Sequence, residues 1–406
     1  MSQVEMSDRL KERVAFYESL IEGSRYDEHI LARMAHMPKG AFLFLRHARE
    51  DNIRRWADGI GDLNPRFRDI DYARGTKYGR LVAPPLFLTG VCGEAVYLAY
   101  TAIASPKYDF RGFHSSSNWE FSQPVLEDDS IAFEGQGFTG VRVVDSRFSG
   151  QMLISSGEIR YTNQRGELVG RCRVTAHESA GNDTATSVGK YKDIDLYRYS
   201  AEELEKIEAD KDAEEMRGSI PRYWEDVAEG DSVGQIVVGP YTTMNSLAYY
   251  SASPNGSASC KGERIARLFA KNTGPMAVQH DPRINASVNG MLSHLDNDMA
   301  RQAGAGIPGA YDIGMERQCF VSTLFNNWIG DDGFLWKFSI QFRQFVIYGD
   351  TNWYKGAVTR KYVEDGRYCV DIDYQGVNQR GATTTAGSAT VILPSRDHGA
   401  VKYPSH

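Results

Sequence analysis

No apolar run in this chain approaches the roughly 20 residues that a bilayer-spanning helix needs, so no membrane partner is expected. A basic excess is missing too. Asp and Glu number 53 against 46 Lys and Arg, for a net charge of −7, which argues against a nucleic-acid partner. Cysteine is sparse: Cys92, Cys172, Cys260, Cys319 and Cys369 are scattered, odd in number and form no C-x-x-C. Neither a disulfide framework nor a structural zinc site is expected, and thiols in a reduced cytosol are. The first twenty residues carry acids near the start and lack a long apolar core, so no secretory leader is expected and the expected location is cytoplasmic. Gly304-Ala-Gly306-Ile-Pro-Gly309 lacks the spacing of a dinucleotide or Walker loop. His114 and His280-Asp281 stand isolated, with no metal-ligand spacing.

What is present is a chain of 406 residues, 41% apolar, enough for a packed core and two or three domains. It repeats itself. Phe67-Arg-Asp69-Ile-Asp71-Tyr-Ala73-Arg74-x4-Gly79-x3-Ala83 matches His294-Leu-Asp296-Asn-Asp298-Met-Ala300-Arg301-x4-Gly306-x3-Ala310, with six identities at one offset, 294 − 67 = 227. Phe121-Ser-Gln123-Pro-Val125-x3-Asp129 matches Phe342-Arg-Gln344-Phe-Val346-x3-Asp350 at offset 221, and Asn163-Gln-Arg-Gly166 recurs as Asn378-Gln-Arg-Gly381 at offset 215. Three blocks in one order with a drifting offset imply a duplicated unit with small loop insertions. The units are residues 1–178, with a helical N-terminal extension, and 221–406. A polar connector, 179–220, joins them, and within it the capping box Ser200-Ala-Glu-Glu203 opens a charged helix to about Met216.

Element order agrees between the units. Leu10, Val14, Tyr17 and Ile21 recur at helical spacing, and a second helix contains Ile53, Trp56 and Ala57. A Gly-, Pro- and Asp-rich loop leads to a helix, Leu86–Ile103, that is apolar on most faces and so expected to be buried. Strands follow. The second unit runs the same way, with a buried helix over Ile313–Trp328 and then strands over Leu335–Phe345, Asn352–Lys361 and Tyr368–Gly376. One buried helix followed by long strands is an α+β pattern, a curved antiparallel sheet around a central helix. Residues 253–288 have no counterpart of that length in the first unit and carry Lys261, Arg264, Arg267 and Lys271. They read either as a solvated face or as contacts to phosphates.

Gly61-Asp62-Leu-Asn64-Pro65, followed by Asp69, Ala73 and Gly79-Arg-Leu-Val-Ala83-Pro-Pro85, resembles the signature of MaoC-like dehydratases and (R)-specific enoyl-CoA hydratases. The first half is similar, more narrowly, to the FAS1-type dehydratase domain fused to a second hotdog. The resemblance implies a tandem double hotdog that adds or removes water at the 2,3 position of an enoyl or 3-hydroxyacyl thioester. It implies coenzyme A as part of the substrate, no other cofactor, no metal, and a homo-oligomer such as a homodimer. Hydration needs a base for water, an acid for the α-carbon and donors for the thioester oxygen. In the family an Asp and a His five residues later grip the water, and a backbone N–H at the start of the buried helix meets the oxygen.

Neither half keeps the complete pair. The first has Asp62 and Asn64, but Phe67 stands at the His position. The second has His294, but Asn289 stands at 294 − 5 = 289. The helix-start Gly matches Gly314, where the first half has Pro85 nearby. By this resemblance His294 leads the chemistry, and Gly314, Tyr311, Asn289 and Asn64 contact substrate. The first half accommodates the acyl group. Several residues keep two readings. Asp62 is a catalytic carboxylate or a turn residue. Asp312 is a replacement acid or a helix-dipole partner paired with Arg317. His294 is a base or a hydrogen-bonded loop residue. Asp69 and Asp296 read as helix caps. The broken pairs also leave open a non-catalytic or partner-dependent acyl-CoA-binding module, or a hydratase or lyase whose substrate carries no coenzyme A.

Overall fold

The computed structural model describes residues 8–27, 30, 45–93, 112–146, 150–179, 191, 194–253, 262, 264–265, 267–268, 278–302 and 307–404. Its strands are β1 (Arg25–Tyr26), β2 (Gly112–Phe121), β3 (Ala132–Ser146), β4 (Gly150–Thr162), β5 (Leu168–Ser179), β6 (Ser232–Val238), β7 (Val278–Asp281), β8 (Ala286–Asn289), β9 (Phe334–Phe342), β10 (Asn352–Glu364), β11 (Arg367–Asn378) and β12 (Thr383–Ile392). Ten of them form one sheet in the order β1-β3-β4-β5-β2-β9-β12-β11-β10-β6. β7 and β8 pair separately, inside the segment that the first half lacks.

The sheet order is a mirror. β3-β4-β5-β2 meets β9-β12-β11-β10, and the halves join where β2 pairs with β9. In that pairing Asn118 faces Ser339, and 339 − 118 = 221 is the offset of the second repeat block. Each half's copy of this position meets the other's, so a local twofold axis passes between them.

The repeated residues explain themselves as clamps. Asp129 accepts from the Leu126 N–H at 2.9 Å and from the Gln164 amide at 2.9 Å. Asp350 accepts from the Ile347 N–H at 3.1 Å, from Gln379 at 2.7 Å, and from Arg380. Asn163 and Asn378 each close the hairpin turn with two backbone N–H groups, those of Arg165 and Glu167 and those of Arg380 and Ala382. Asp69 and Asp296 cap short helices, accepting from the N–H groups of Asp71 and Tyr72 and of Asp298 and Met299.

The helices are α1 (Asp8–Leu20), α2 (Glu50–Ile60), α3 (Ile70–Arg74), α4 (Phe87–Val91), α5 (Ala201–Asp212), α6 (Thr243–Ala252), α7 (Asn297–Gln302) and α8 (Gly314–Ile329). α5 carries the expected capping box but stops short of Met216, because Glu214 leaves the helix and accepts the Val237 N–H at 2.6 Å. α2 buries Ile53, Trp56, Ala57 and Ile60, one helical stripe. It packs on α6, where a side chain on Gly59 would meet Ala252 at 2.4 Å. Of the expected helix Leu86–Ile103, α4 is described and residues 94–103 lie outside the described residues.

α8 is the apolar centre of the second half. Phe325 packs edge-on to Phe338 and Tyr374, and Phe320 against Tyr354. Gln318 accepts the Trp119 indole N–H at 3.0 Å, which ties α8 to the other half's β2. Burying each large apolar side chain contributes about 1.5–3 kcal/mol.

Glu316, in the first turn of α8, is buried with no cationic partner among the described residues. It accepts from Tyr241 Oη at 2.8 Å, and burial, with the Asp312 charge adding to it, pushes its pKa up to about 8. Between the ordinary value of 4.5 and about 8, the folded protein holds a proton that the unfolded chain has lost. Stability therefore falls as pH rises through that window, by up to about 1.4 kcal/mol per unit. Urea unfolding of Glu316→Gln should show a variant whose advantage over the parent grows from pH 5 to pH 8. In the same assay Asp350→Ala should cost about 2–3 kcal/mol, because it strands the Ile347 N–H and frees the Gln379-Arg380 turn.

Candidate active site

The chain enters the second-half site through a tight turn, Gly290–His294, that Asp296 and α7 hold in place. His294 Nδ1 lies 2.8 Å from the Tyr311 carbonyl oxygen. A carbonyl only accepts, so Nδ1 carries the proton, and in the neutral ring Nε2 carries the lone pair. The ring is half-buried and packs on the Tyr311 ring at 4.2 Å. Burial lowers its pKa, opposed by the Tyr311 carbonyl and the Asp312 charge. The ring is thus neutral at neutral pH, an oriented base.

Three residues on, α8 begins. Asp312 and Arg317 form a buried two-pronged pair, Nε to Oδ2 at 2.5 Å and Nη2 to Oδ1 at 2.5 Å. Asp312 Oδ1 also accepts the Val346 N–H at 3.1 Å, while Arg317 Nη1 donates to the carbonyls of Gln344 and Thr384. Both oxygens of Asp312 are committed, so the reading of this residue as a replacement acid is corrected in favour of the ion pair. What the pair does is fix the helix start. Gly314 sits there, with little room for a side chain: a Cβ would lie 3.0 Å from His114 Nδ1 and 3.2 Å from the Phe342 ring. The first N–H groups of a helix have no intrahelical acceptor, so this end offers donors to a ligand oxygen.

The first-half counterpart is closed. At the 227 offset, Phe67 corresponds to His294. The matching bridges Val82–Leu126 and Tyr311–Ile347 align Val82 with Tyr311 (311 − 82 = 229) and so Pro85 with Gly314 (314 − 85 = 229). Pro has no N–H to offer. Phe67 is fully buried, and the Phe87 N–H is already bonded to the Pro84 carbonyl at 2.8 Å. The first half thus lacks both the histidine and the N–H at the position of Gly314. The cavity beside Phe67, Pro85 and Asn326 measures about 40 Å³, room for a few waters.

Asp62 and His294 do not meet. Gly61, in the left-handed region at φ 71°, ends α2 and turns Asp62 inward. There Asp62 accepts from the Asn64 N–H and from Asn326 Nδ2, each at 3.0 Å, and burial raises its pKa against those two bonds. Asn326 lies 326 − 314 = 12 residues beyond Gly314, about 18 Å along α8. The retained Asp and the retained His therefore sit at opposite ends of one helix. Asn64 caps the next turn by accepting the Arg66 N–H. The side chain of Asn289 lies outside the described residues, as do Lys261 and Lys271. Arg264 and Arg267 are exposed. Tyr311 Oη reaches Ser293 Oγ at 3.5 Å.

Two residues beside the helix start had no sequence signal. Glu316 is a buried carboxyl in an apolar helix. His114 read as isolated, yet β2 carries it to Gly314 across 200 residues of chain (314 − 114 = 200). Among the described residues no group of three or more His, Cys, Asp or Glu could hold a metal, and no helix is long and apolar enough to cross a membrane.

A profile of the FAS1-like dehydratase domain region matches residues 47–171. A UPF0336 protein of Parafrankia sp. is 29% identical over 141 residues, 32% of this chain and 83% of that protein. Another, from Thermobifida fusca, is 32% identical over 113 residues, 27% of this chain and 70% of that protein. A solved MaoC-like dehydratase superposes with a TM-score of 0.60 at 15% identity, covering 93% of this chain and 99% of its own. A MaoC domain dehydratase structure from Chloroflexus aurantiacus gives 0.50 at 14%, over 87% and 94%. The structural likenesses carry the fold, and the sequence match carries the kinship: this chain belongs with the UPF0336 proteins, carries a FAS1-like dehydratase domain region in its first half, and has the double-hotdog fold of the MaoC-like dehydratase structures.

Proposed function

We propose that the chain is a hydro-lyase acting on 2-enoyl and 3-hydroxyacyl thioesters of coenzyme A, with its single working site at the His294 end of α8. One observation carries the reading. The Tyr311 carbonyl fixes His294 in the tautomer that leaves Nε2 basic, while the other half has Phe67 and Pro85 at the positions of His294 and Gly314.

In the hydration direction Nε2 takes a proton from water as the oxygen attacks C3. The electron pair moves through C2 onto the thioester oxygen, which the Gly314 N–H stabilises. The imidazolium then returns that proton to C2. One residue serves as base and then as acid, so the cycle balances without the missing Asp. Asn289, where the family has its Asp, orients the water through its amide. The buried, neutral surroundings favour this cycle, since His294 begins and ends uncharged. Coenzyme A enters as part of the substrate, and the working form is a homo-oligomer.

Hydration of crotonyl-CoA, followed by loss of the conjugated-thioester absorbance, tests the reading. His294→Ala should lose about 10²–10⁴-fold in kcat, and Asp62→Asn should stay within about twofold, since Asp62 lies about 18 Å from the helix start. Unchanged turnover in His294→Ala would remove that residue from the mechanism, and acyl-CoA binding without turnover would favour the binding module. The pH profile has a defined sign. Protonation disables the base, and burial disfavours the charged ring, so kcat/KM should rise with pH through an apparent pKa below the ordinary 6.5. A midpoint above 6.5 would contradict the geometry.

A further inference from the structure

β2 reaches the site from the first half. A register irregularity lies between His114 and Ser116, beside the β2–β9 join. His114 Nε2 is 2.8 Å from Ser117 Oγ, and the ring rests on Phe342 at 4.7 Å, so its orientation is fixed. Nδ1 is buried and has no hydrogen-bond partner in the protein. A buried polar atom left this way is costly, and native structures satisfy nearly all of them. The position of this atom matters. It lies 3.0 Å from where a Gly314 Cβ would be, hence within about 4.5 Å of Gly314 Cα and about 6 Å of Gly314 N, allowing about 1.5 Å per bond. Two donors no further apart than that can share one oxygen at about 3 Å from each.

We propose that His114 is a catalytic residue of the site, donating Nδ1–H to the thioester oxygen alongside the Gly314 N–H. The proposal rests on the hydratase reading above and adds a contribution from the first half. In this proposal the Ser117 hydroxyl is the donor to Nε2, which leaves the proton on Nδ1. No proton is transferred by His114. It holds the negative charge that builds on the oxygen when water adds and releases it when the enolate collapses. The ring stays neutral in this role, because burial, opposed by the Ser116 backbone and aided by the Arg317 charge, pushes its pKa down to about 3. The same proximity gives a reason for glycine at 314: any side chain would fill the space between the two donors.

The test uses the full chain with two probes, crotonyl-CoA for turnover and 2,4-hexadienoyl-CoA, whose absorbance shifts to the red when its carbonyl is polarised. His114→Phe keeps a ring and removes the donor. Its kcat should fall about 10²–10³-fold, KM should change less than about threefold, and the red shift should shrink. His114→Gln, which restores an N–H, should recover part of both. His294→Ala should lose turnover and keep the shift, a split that a merely structural role for His114 would not produce. Ring ¹⁵N shifts of His114 in the parent protein read the same point without substitution, so a misfolded variant leaves the question answerable. A protonated Nδ1 that moves on ligand binding supports the proposal, and a bare Nδ1 overturns it. Full turnover and an undiminished shift in His114→Phe also overturn it, with the hydratase reading intact. A parent protein that neither hydrates crotonyl-CoA nor shifts the dienoyl probe sinks both.

Discussion

The buried Asp312–Arg317 pair holds the part of the molecule on which the site depends. An ion pair removed from water gains little by itself, since desolvation offsets most of the attraction. Here each charge is also fully hydrogen-bonded. Asp312 takes the Val346 N–H, and Arg317 reaches the carbonyls of Gln344 and Thr384. The first turn of α8 is thereby tied to the loop between β9 and β10 and to the start of β12. Two atoms of the site sit on that turn or just before it, the Tyr311 carbonyl that orients His294 and the Gly314 backbone. Loosening the pair would move both at once. Its value lies in positioning rather than in net stability.

The two halves have kept the same skeleton and divided its uses. What repeats is structural: the Asp129 and Asp350 clamps, the Asn163 and Asn378 turns, and the Asp69 and Asp296 caps. What differs lies at three corresponding positions, Phe67 for His294, Val82 for Tyr311 and Pro85 for Gly314. Two of these changes remove a group that the chemistry uses, the imidazole and the helix-start N–H. A closed half still has work to do in this fold. It supplies the sheet partner β2, and on β2 it supplies His114.

Much of the fold was legible in the sequence because duplication writes the same constraint twice. Clamp and cap residues recur at fixed offsets since each must meet a backbone N–H a few positions away, and local contacts leave local patterns. The buried helix was legible from its apolar faces. The site was only partly legible. His294 and Gly314 stood out through the family pattern, and both lie at the start of α8. Asp62 stood out equally, and nothing in its motif tells that its carboxylate meets Asn326 at the far end of that helix. Asp312 carried two readings, and the choice turned on whether Arg317, one turn later, points back. His114 was invisible for a physical reason. Its partner is reached through the pairing of strands from different halves, and such a contact has no sequence spacing to betray it.

The charges around α8 suit a reaction in which charge appears only in passing. Asp312 and Arg317 cancel, Glu316 is held protonated at neutral pH by burial, and His294 and His114 are held neutral the same way. The resting site therefore presents oriented dipoles and no unpaired charge. In the proposed hydration a negative oxygen and a positive imidazole form together, and each meets a partner already in place. Low dielectric then works for the reaction, since it strengthens the hydrogen bonds to the oxygen without asking the protein to reorganise. Placing a permanent cation at the helix start would also stabilise that oxygen, but it would raise the cost of protonating His294 in the same step. Neutral donors avoid that conflict, which is why a backbone N–H and a histidine held neutral are the chemically consistent pair at this end of the helix.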